Sequence, residues 1–198
     1  MKLLGLDFDN TLVHYDHLFH ELAKEKKLIG DSGPRTKSGI RDYLKQRNEE
    51  NEFTILQGEV YGLHILRASP AEGMLDALKE ISNMGIDMCI VSHKTRTPYK
   101  GPQYDLHKAA WNWLEKHGFF SQEGLNWSRD QVFFEETKDA KINRISTLKC
   151  NFYVDDLPEI LKSLPVELKK IHYDPFRSNN CNELTTMKRW CELKNLLG

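Results

Sequence analysis

The chain has 198 residues, 39% of them hydrophobic and 29% charged, which suits one soluble domain with an insertion and a substantial core. Its 28 basic residues against 29 acidic ones leave a net charge of −1, so no overall electrostatic footprint for nucleic acid is present. No apolar stretch approaches the roughly 20 residues that span a bilayer, and the N-terminal segment lacks a signal-peptide layout, so the expectation is a cytoplasmic protein with neither a membrane nor a nucleic acid as partner.

Residues Met1 to Leu6 read as a buried strand that runs straight into Asp7-Phe8-Asp9-Asn10-Thr11. A continuous apolar run fits the interior of a parallel sheet, and ligands of open α/β sheets lie beyond the carboxyl ends of their strands. Two carboxylates therefore sit where chemistry is expected. Strand alternation points Asp7 and Asp9 to one side and Phe8 into packing. Their repulsion calls for a hard divalent cation with oxygen ligands, magnesium first. One carboxylate can then attack phosphorus while its neighbour handles a proton. A D-x-D sequence also occurs in solvated turns, so the case needs further signals.

Residues 14–69 are too many for one crossover helix. They carry an apolar-patterned stretch from His17 to Ala23, a loop rich in Gly, Ser and Pro from Gly30 to Gly39, and a second patterned stretch from Ile40 to Leu44. These features predict a small, mainly helical insert. From Pro70 a helix is expected, with Met74, Leu75, Leu78 and Ile81 on one face and Gly85 as its stop. The strand Ile86–Val91 ends in Ser92-His93-Lys94, a hydroxyl with backbone N–H groups suited to an anion.

The next stretch, Lys94 to Tyr104, is basic and punctuated by Pro and Gly. Lys94, Arg96 and Lys100 could meet a phosphate or an anionic leaving group, and Tyr99 and Tyr104 could flank a sugar or base. An ordinary surface loop is the equal alternative. A helix from Leu106 to Lys116 follows, whose Trp111 and Trp113 read as packing residues. Gln131–Phe134 is a short strand, and Thr137 is a plausible N-cap for a helix over 138–149 that carries Lys138 and Lys141.

Asn151–Val154 reads as another buried strand, ending in Asp155-Asp156 before a helix over 157–164. A strand over Leu168–Tyr173 and a terminal helix over Leu184–Leu197, with Met187, Trp190, Cys191 and Leu193 among its apolar residues, complete the chain. Alternating strands and helices predict an α/β fold with a doubly wound parallel sheet, its core made of 1–13 and 70–198 and its insert of 14–69. Cys89, Cys150, Cys181 and Cys191 have no metal-ligand spacing and read as reduced structural thiols.

The order of carboxylates, hydroxyl, lysine and carboxylates resembles the haloacid dehalogenase (HAD) superfamily. Its four motifs are a D-x-D-x-T/V strand end, a strand end in Ser or Thr, a helix-borne Lys and a final acidic pair. By that resemblance the core is Rossmann-like, Asp7 is nucleophile and metal ligand, and Asp9 is the acid/base whose backbone carbonyl also meets the metal. Asp155 and Asp156 complete a Mg2+ site, and Ser92 holds the transferring phosphoryl group. The lysine would neutralise phosphate charge. Lys141 heads a K-I-x-x-I pattern like that of the resembled family, which favours it, and Lys138, nearer the N-cap, stays open.

An acid at the position of Asp9 marks the superfamily's phosphatases rather than its dehalogenases, because an alkoxide leaving group needs a proton and a halide does not. The implied activity is Mg-dependent hydrolysis of a small phosphorylated metabolite, a sugar phosphate or nucleotide, through an aspartyl-phosphate. Thr11, His93, Lys94 and Arg96 are further substrate-binding candidates. In the resembled family an insert at 14–69 forms a cap, where His14, His17, Arg35, Lys37 and Arg41 could meet substrate. A phosphatase of a macromolecular end or phosphoprotein, a phosphomutase, and a metal-binding regulator without turnover remain alternatives, and the oligomeric state is not legible.

Overall fold

The computed structural model describes residues 2–176 and 183–198. Within them the chain divides into two compact units, one of 1–13, 70–94 and 118–198, the other of 14–69 and 95–117.

The first unit is built on β1 (Leu3–Leu6), β4 (Asp87–His93), β5 (Val132–Glu135), β6 (Phe152–Asp155), β7 (Lys169–Tyr173) and β8 (Thr185–Met187). Among the described residues these make a six-stranded sheet in the order β5-β4-β1-β6-β7-β8, every pair parallel. The fold is α/β, as the alternation of strands and helices predicts. Strand β1 is flanked on both sides, which is why its Leu-Leu-Gly-Leu sequence has no polar side chain. Gly5 is required there: a Cβ would lie 2.6 Å from the Tyr153 ring and 3.1 Å from Cys150 Sγ. Helices α4 (Met74–Asn83), α6 (Lys138–Thr147) and α7 (Pro158–Ser163) belong to this unit.

Two expected elements differ. Pro70 lies in a two-residue strand, β3 (Ser69–Pro70), and α4 begins only after Gly73, whose φ of +72° a side chain would resist. Gly85, at φ +71°, follows the helix end as expected. The terminal segment is not one helix. Thr185-Thr186-Met187 pairs with β7, a 3₁₀ turn spans Trp190–Glu192, and only α8 (Leu193–Leu196) is α-helical. The apolar spacing that imitates a helix serves a different end: Met187, Trp190, Leu193 and Leu197 are each fully buried, and Cys191 is exposed. Cys89 and Cys150 are buried free thiols, and Cys181 lies outside the described residues.

The second unit contains α1 (Asp16–Glu25), α2 (Lys37–Gln46), α3 (Glu50–Tyr61) and α5 (Leu106–Lys116). The chain enters it through β2 (Val13–His14). Its core holds an aromatic cluster among aliphatic side chains: Phe19 stacks on Phe53 at 5.8 Å, and Tyr15 meets Tyr61 edge-on at 4.7 Å. The segment 95–117, which sequence assigned to the core, groups here instead. The reason is packing. Trp113 is fully buried and its Nε1 donates to the Ala68 carbonyl at 2.9 Å, while Gly58 and Gly62 leave room for Pro98 and Tyr104. No helix among the described residues is long and apolar enough to cross a membrane.

Candidate active site

The backbone after β1 is held before it turns. Asp7 N donates to the Val154 carbonyl at 2.9 Å, extending the ladder to β6 by one residue. Asn10 then adopts φ +59°, a left-handed conformation that Asn tolerates, and the N–H groups of Leu12 and Val13 both return to the Phe8 carbonyl. This turn fixes Asp7 and Asp9 at the carboxyl end of the central strand.

Four groups converge on Asp7. Ser92, the second-last residue of β4, donates from Oγ to Asp7 Oδ1 at 2.9 Å. Lys141 Nζ lies 2.6 Å from the same oxygen and 2.6 Å from Asp155 Oδ2. Asp7, Asp155 and Asp156 present carboxylate oxygens within 4.8 Å of one another. Asp155 is anchored further, because its Oδ1 accepts the Leu157 N–H at 2.8 Å as α7 begins. Asp156, half-buried, has its carbonyl oxygen 3.2 Å from His172 Nε2.

The two candidate lysines take different places. Thr137 caps α6 by accepting from Ala140 N, and one turn in, Lys141 points to Asp7 while Ile145 fills the core. Lys138 is half-exposed and pairs with Glu159 on the surface. Lys141 is almost wholly buried, at 2% exposure. Burial opposes its charge, but Asp7 and Asp155 outweigh that effect and hold its ammonium above the ordinary lysine range. Burial, with the Asp7 charge added, pushes the Asp155 carboxyl up to about 7, although Lys141 pulls the other way. Three acids and one ammonium therefore leave a deficit of positive charge. Their hard oxygen donors, tightly spaced and largely desolvated, fit a divalent cation such as magnesium.

Asp9 is not part of that carboxylate cluster. Its two oxygens accept from Lys94 Nζ at 3.0 and 2.8 Å. Lys94 is itself buried, a pairing that sequence reading missed, since the two residues are 85 positions apart and no local pattern links them. His93 is partly buried, and burial foremost lowers its imidazole pKa. Thr11 is fully enclosed, its hydroxyl without a hydrogen-bond partner among the described residues. Arg96 is exposed and falls in the second unit.

The insert candidates have ordinary surroundings. Lys37 lies over the rings of Phe19 and Tyr61, Arg41 pairs with Asp42, and His17 is exposed beside Glu21. Arg35 is exposed and His14 half-buried. In the following loop Tyr99 is exposed, Tyr104 packs against Gly62, and Lys100 bonds Asn51.

No family model matches the chain. A candidate nucleotidase of Bacillus cereus is 22% identical over 98% of this chain and 96% of its own length. Among solved structures, the HAD-hydrolase YfnB of Bacillus subtilis, described as bound to magnesium, aligns over 100% of this chain and 98% of its own with a TM-score of 0.62 at 14% identity. The L-2-haloacid dehalogenase RSc1362 aligns over 100% and 99% with a TM-score of 0.56 at 10% identity. Shared by a magnesium-bound hydrolase and a dehalogenase, the architecture does not by itself select a reaction. The chain has the fold of the haloacid dehalogenase superfamily.

Proposed function

We propose that the protein is a magnesium-dependent phosphohydrolase that cleaves a small phosphomonoester through an aspartyl-phosphate on Asp7. One observation carries the reading: Asp7 receives Ser92 and Lys141 on a single oxygen, and that same lysine bridges to Asp155. A carboxylate held this way is oriented for attack, and the donors beside it are preorganised for the charge that builds on a transferring phosphoryl group.

Asp7, Asp155 and Asp156 would hold Mg2+, which supplies Lewis-acid polarisation of the phosphoryl oxygens. In the first step an Asp7 oxygen forms a bond to phosphorus as the bond to the leaving oxygen breaks, and Asp9, carrying the proton it took from water in the preceding cycle, gives that proton to the leaving oxygen. In the second, Asp9 takes a proton from water, whose oxygen attacks phosphorus and releases Asp7. Ser92 and Lys141 keep the Asp7 side chain in one orientation through both steps. Asp9 argues for phosphate over halide, because only the oxygen leaving group needs its proton. The Bacillus cereus relative makes nucleotides the first substrates to try, with sugar phosphates next.

The test is release of inorganic phosphate from a panel of nucleotides and sugar phosphates, with magnesium and with chelator, for the wild type beside Asp7→Asn. Turnover that needs magnesium and is lost in the variant is expected. Undiminished turnover in Asp7→Asn would remove Asp7 as the nucleophile.

A further inference from the structure

The end of β4 supplies a partner to each carboxylate of the β1 turn. Ser92 donates to Asp7, and two residues later Lys94 donates to Asp9, matching the two-residue spacing of the acids. The second contact has no role in the scheme above.

Lys94 is built into the scaffold rather than reaching in from the surface. Its N–H donates to the Glu135 carbonyl at 2.8 Å, one bond beyond the β4–β5 ladder, and its ammonium lies 5.4 Å from the centre of the Phe8 ring. Its side chain is 2% exposed against 20% for Asp9. A buried ammonium needs a partner, and Asp9 meets the need with both oxygens, at 2.8 and 3.0 Å. A carboxylate gripped through both oxygens by a group fixed to the sheet cannot rotate freely about its side-chain bonds. An unpaired aspartate on a turn, with a fifth of its side chain exposed, would sample several rotamers.

We propose that Lys94 is the positioning residue of Asp9: it fixes the direction along which the Asp9 side chain, as the carboxylic acid, meets the leaving oxygen and, as the carboxylate, meets the attacking water. The assignment rests on the phosphohydrolase reading and gives Lys94 a role distinct from binding phosphate. Proton exchange by a general acid/base needs the heavy atoms within hydrogen-bond reach, so a carboxylate that wanders loses rate without losing substrate affinity.

The experiment is a kinetic cycle of Lys94→Met, Asp9→Asn and the double variant on an alkyl phosphate, with Lys94→Arg as the conservative variant and a crystal structure of Lys94→Met. Lys94→Met is expected to lower kcat by about 10- to 100-fold and to leave KM within about threefold. Lys94→Arg should recover part of the loss. The double variant should be no slower than Asp9→Asn alone, because Lys94 acts through Asp9. In the crystal, the Asp9 carboxylate should leave its wild-type position. A raised KM with kcat held, or a further loss on top of Asp9→Asn, overturns the proposal in favour of direct phosphate binding. A wild type inert on every phosphomonoester counts against the phosphohydrolase reading alone. The crystal structure still decides the positioning role, since an unmoved Asp9 carboxylate in Lys94→Met refutes it without any turnover.

Discussion

Replacing Lys141 by Met leaves two buried carboxylates facing each other with their shared cation gone. In the wild type the ammonium lies 2.6 Å from both Asp7 and Asp155, whose side chains are 6% and 0% exposed. Removing one partner from such a buried cluster costs about 3–5 kcal/mol, because what remains is uncompensated charge rather than a lost contact. For a chain of this length that corresponds to a fall in Tm of about 6–20 °C. The Lys138–Glu159 pair provides the control: with side chains 51% and 63% exposed, its loss through Lys138→Met should change stability by less than about 1 kcal/mol. Calorimetry of both variants at about pH 7.5 reads the difference, with and without magnesium, which should restore part of the Lys141→Met deficit. The deficit should also shrink as pH falls, since protonating either acid removes the repulsion. A Lys141→Met Tm within about 2 °C of wild type, without metal, would refute the electrostatic reasoning.

Three further outcomes follow from the same geometry. A folded-state carboxyl raised to about 7 binds its proton more tightly than the unfolded chain does, so Asp155 adds stability to the metal-free protein at low pH and loses it as pH rises toward 7; magnesium must displace that proton, so its affinity should climb over the same window and level off above it, and titration calorimetry showing a flat profile would contradict this. Ser92→Ala removes one hydrogen bond to a charged oxygen and should cost about 1.5–3 kcal/mol, read by chemical denaturation, with phosphate release slowed more than KM is changed. Gly5→Ala would place a Cβ 2.6 Å from the Tyr153 ring, and the strain should lower stability by about 1–3 kcal/mol in the same assay, with no gain in any solvent condition.

The fold and much of the site were legible because their signals are local. Each motif residue sits at the end of a strand or in the first turns of a helix, where apolar runs and caps mark the boundary, as with Thr137 before α6. The Lys138 and Lys141 alternatives differ by less than a helical turn, and only the rotation of α6 separates the one that reaches Asp7 from the one that meets Glu159. Two features had no local signal, and a third had a misleading one. The Lys94–Asp9 pair joins residues 85 positions apart. The segment 95–117 joins the second unit through the burial of Trp113, and burial says nothing in sequence about which neighbour provides it. The Thr185–Met187 strand hides behind apolar spacing that also fits a helix, and its β-branched pair is the cue that outweighs the period.

The central claim is covalent: phosphate passes through Asp7. Mixing the protein with a turned-over phosphomonoester and magnesium, then reducing with borohydride and sequencing by mass spectrometry, converts an acyl phosphate at that position to homoserine. Homoserine at residue 7, present only with substrate and absent in Asp7→Asn, is the predicted result. Steady phosphate release with Asp7 unmodified, or with the label on another carboxylate, would contradict it.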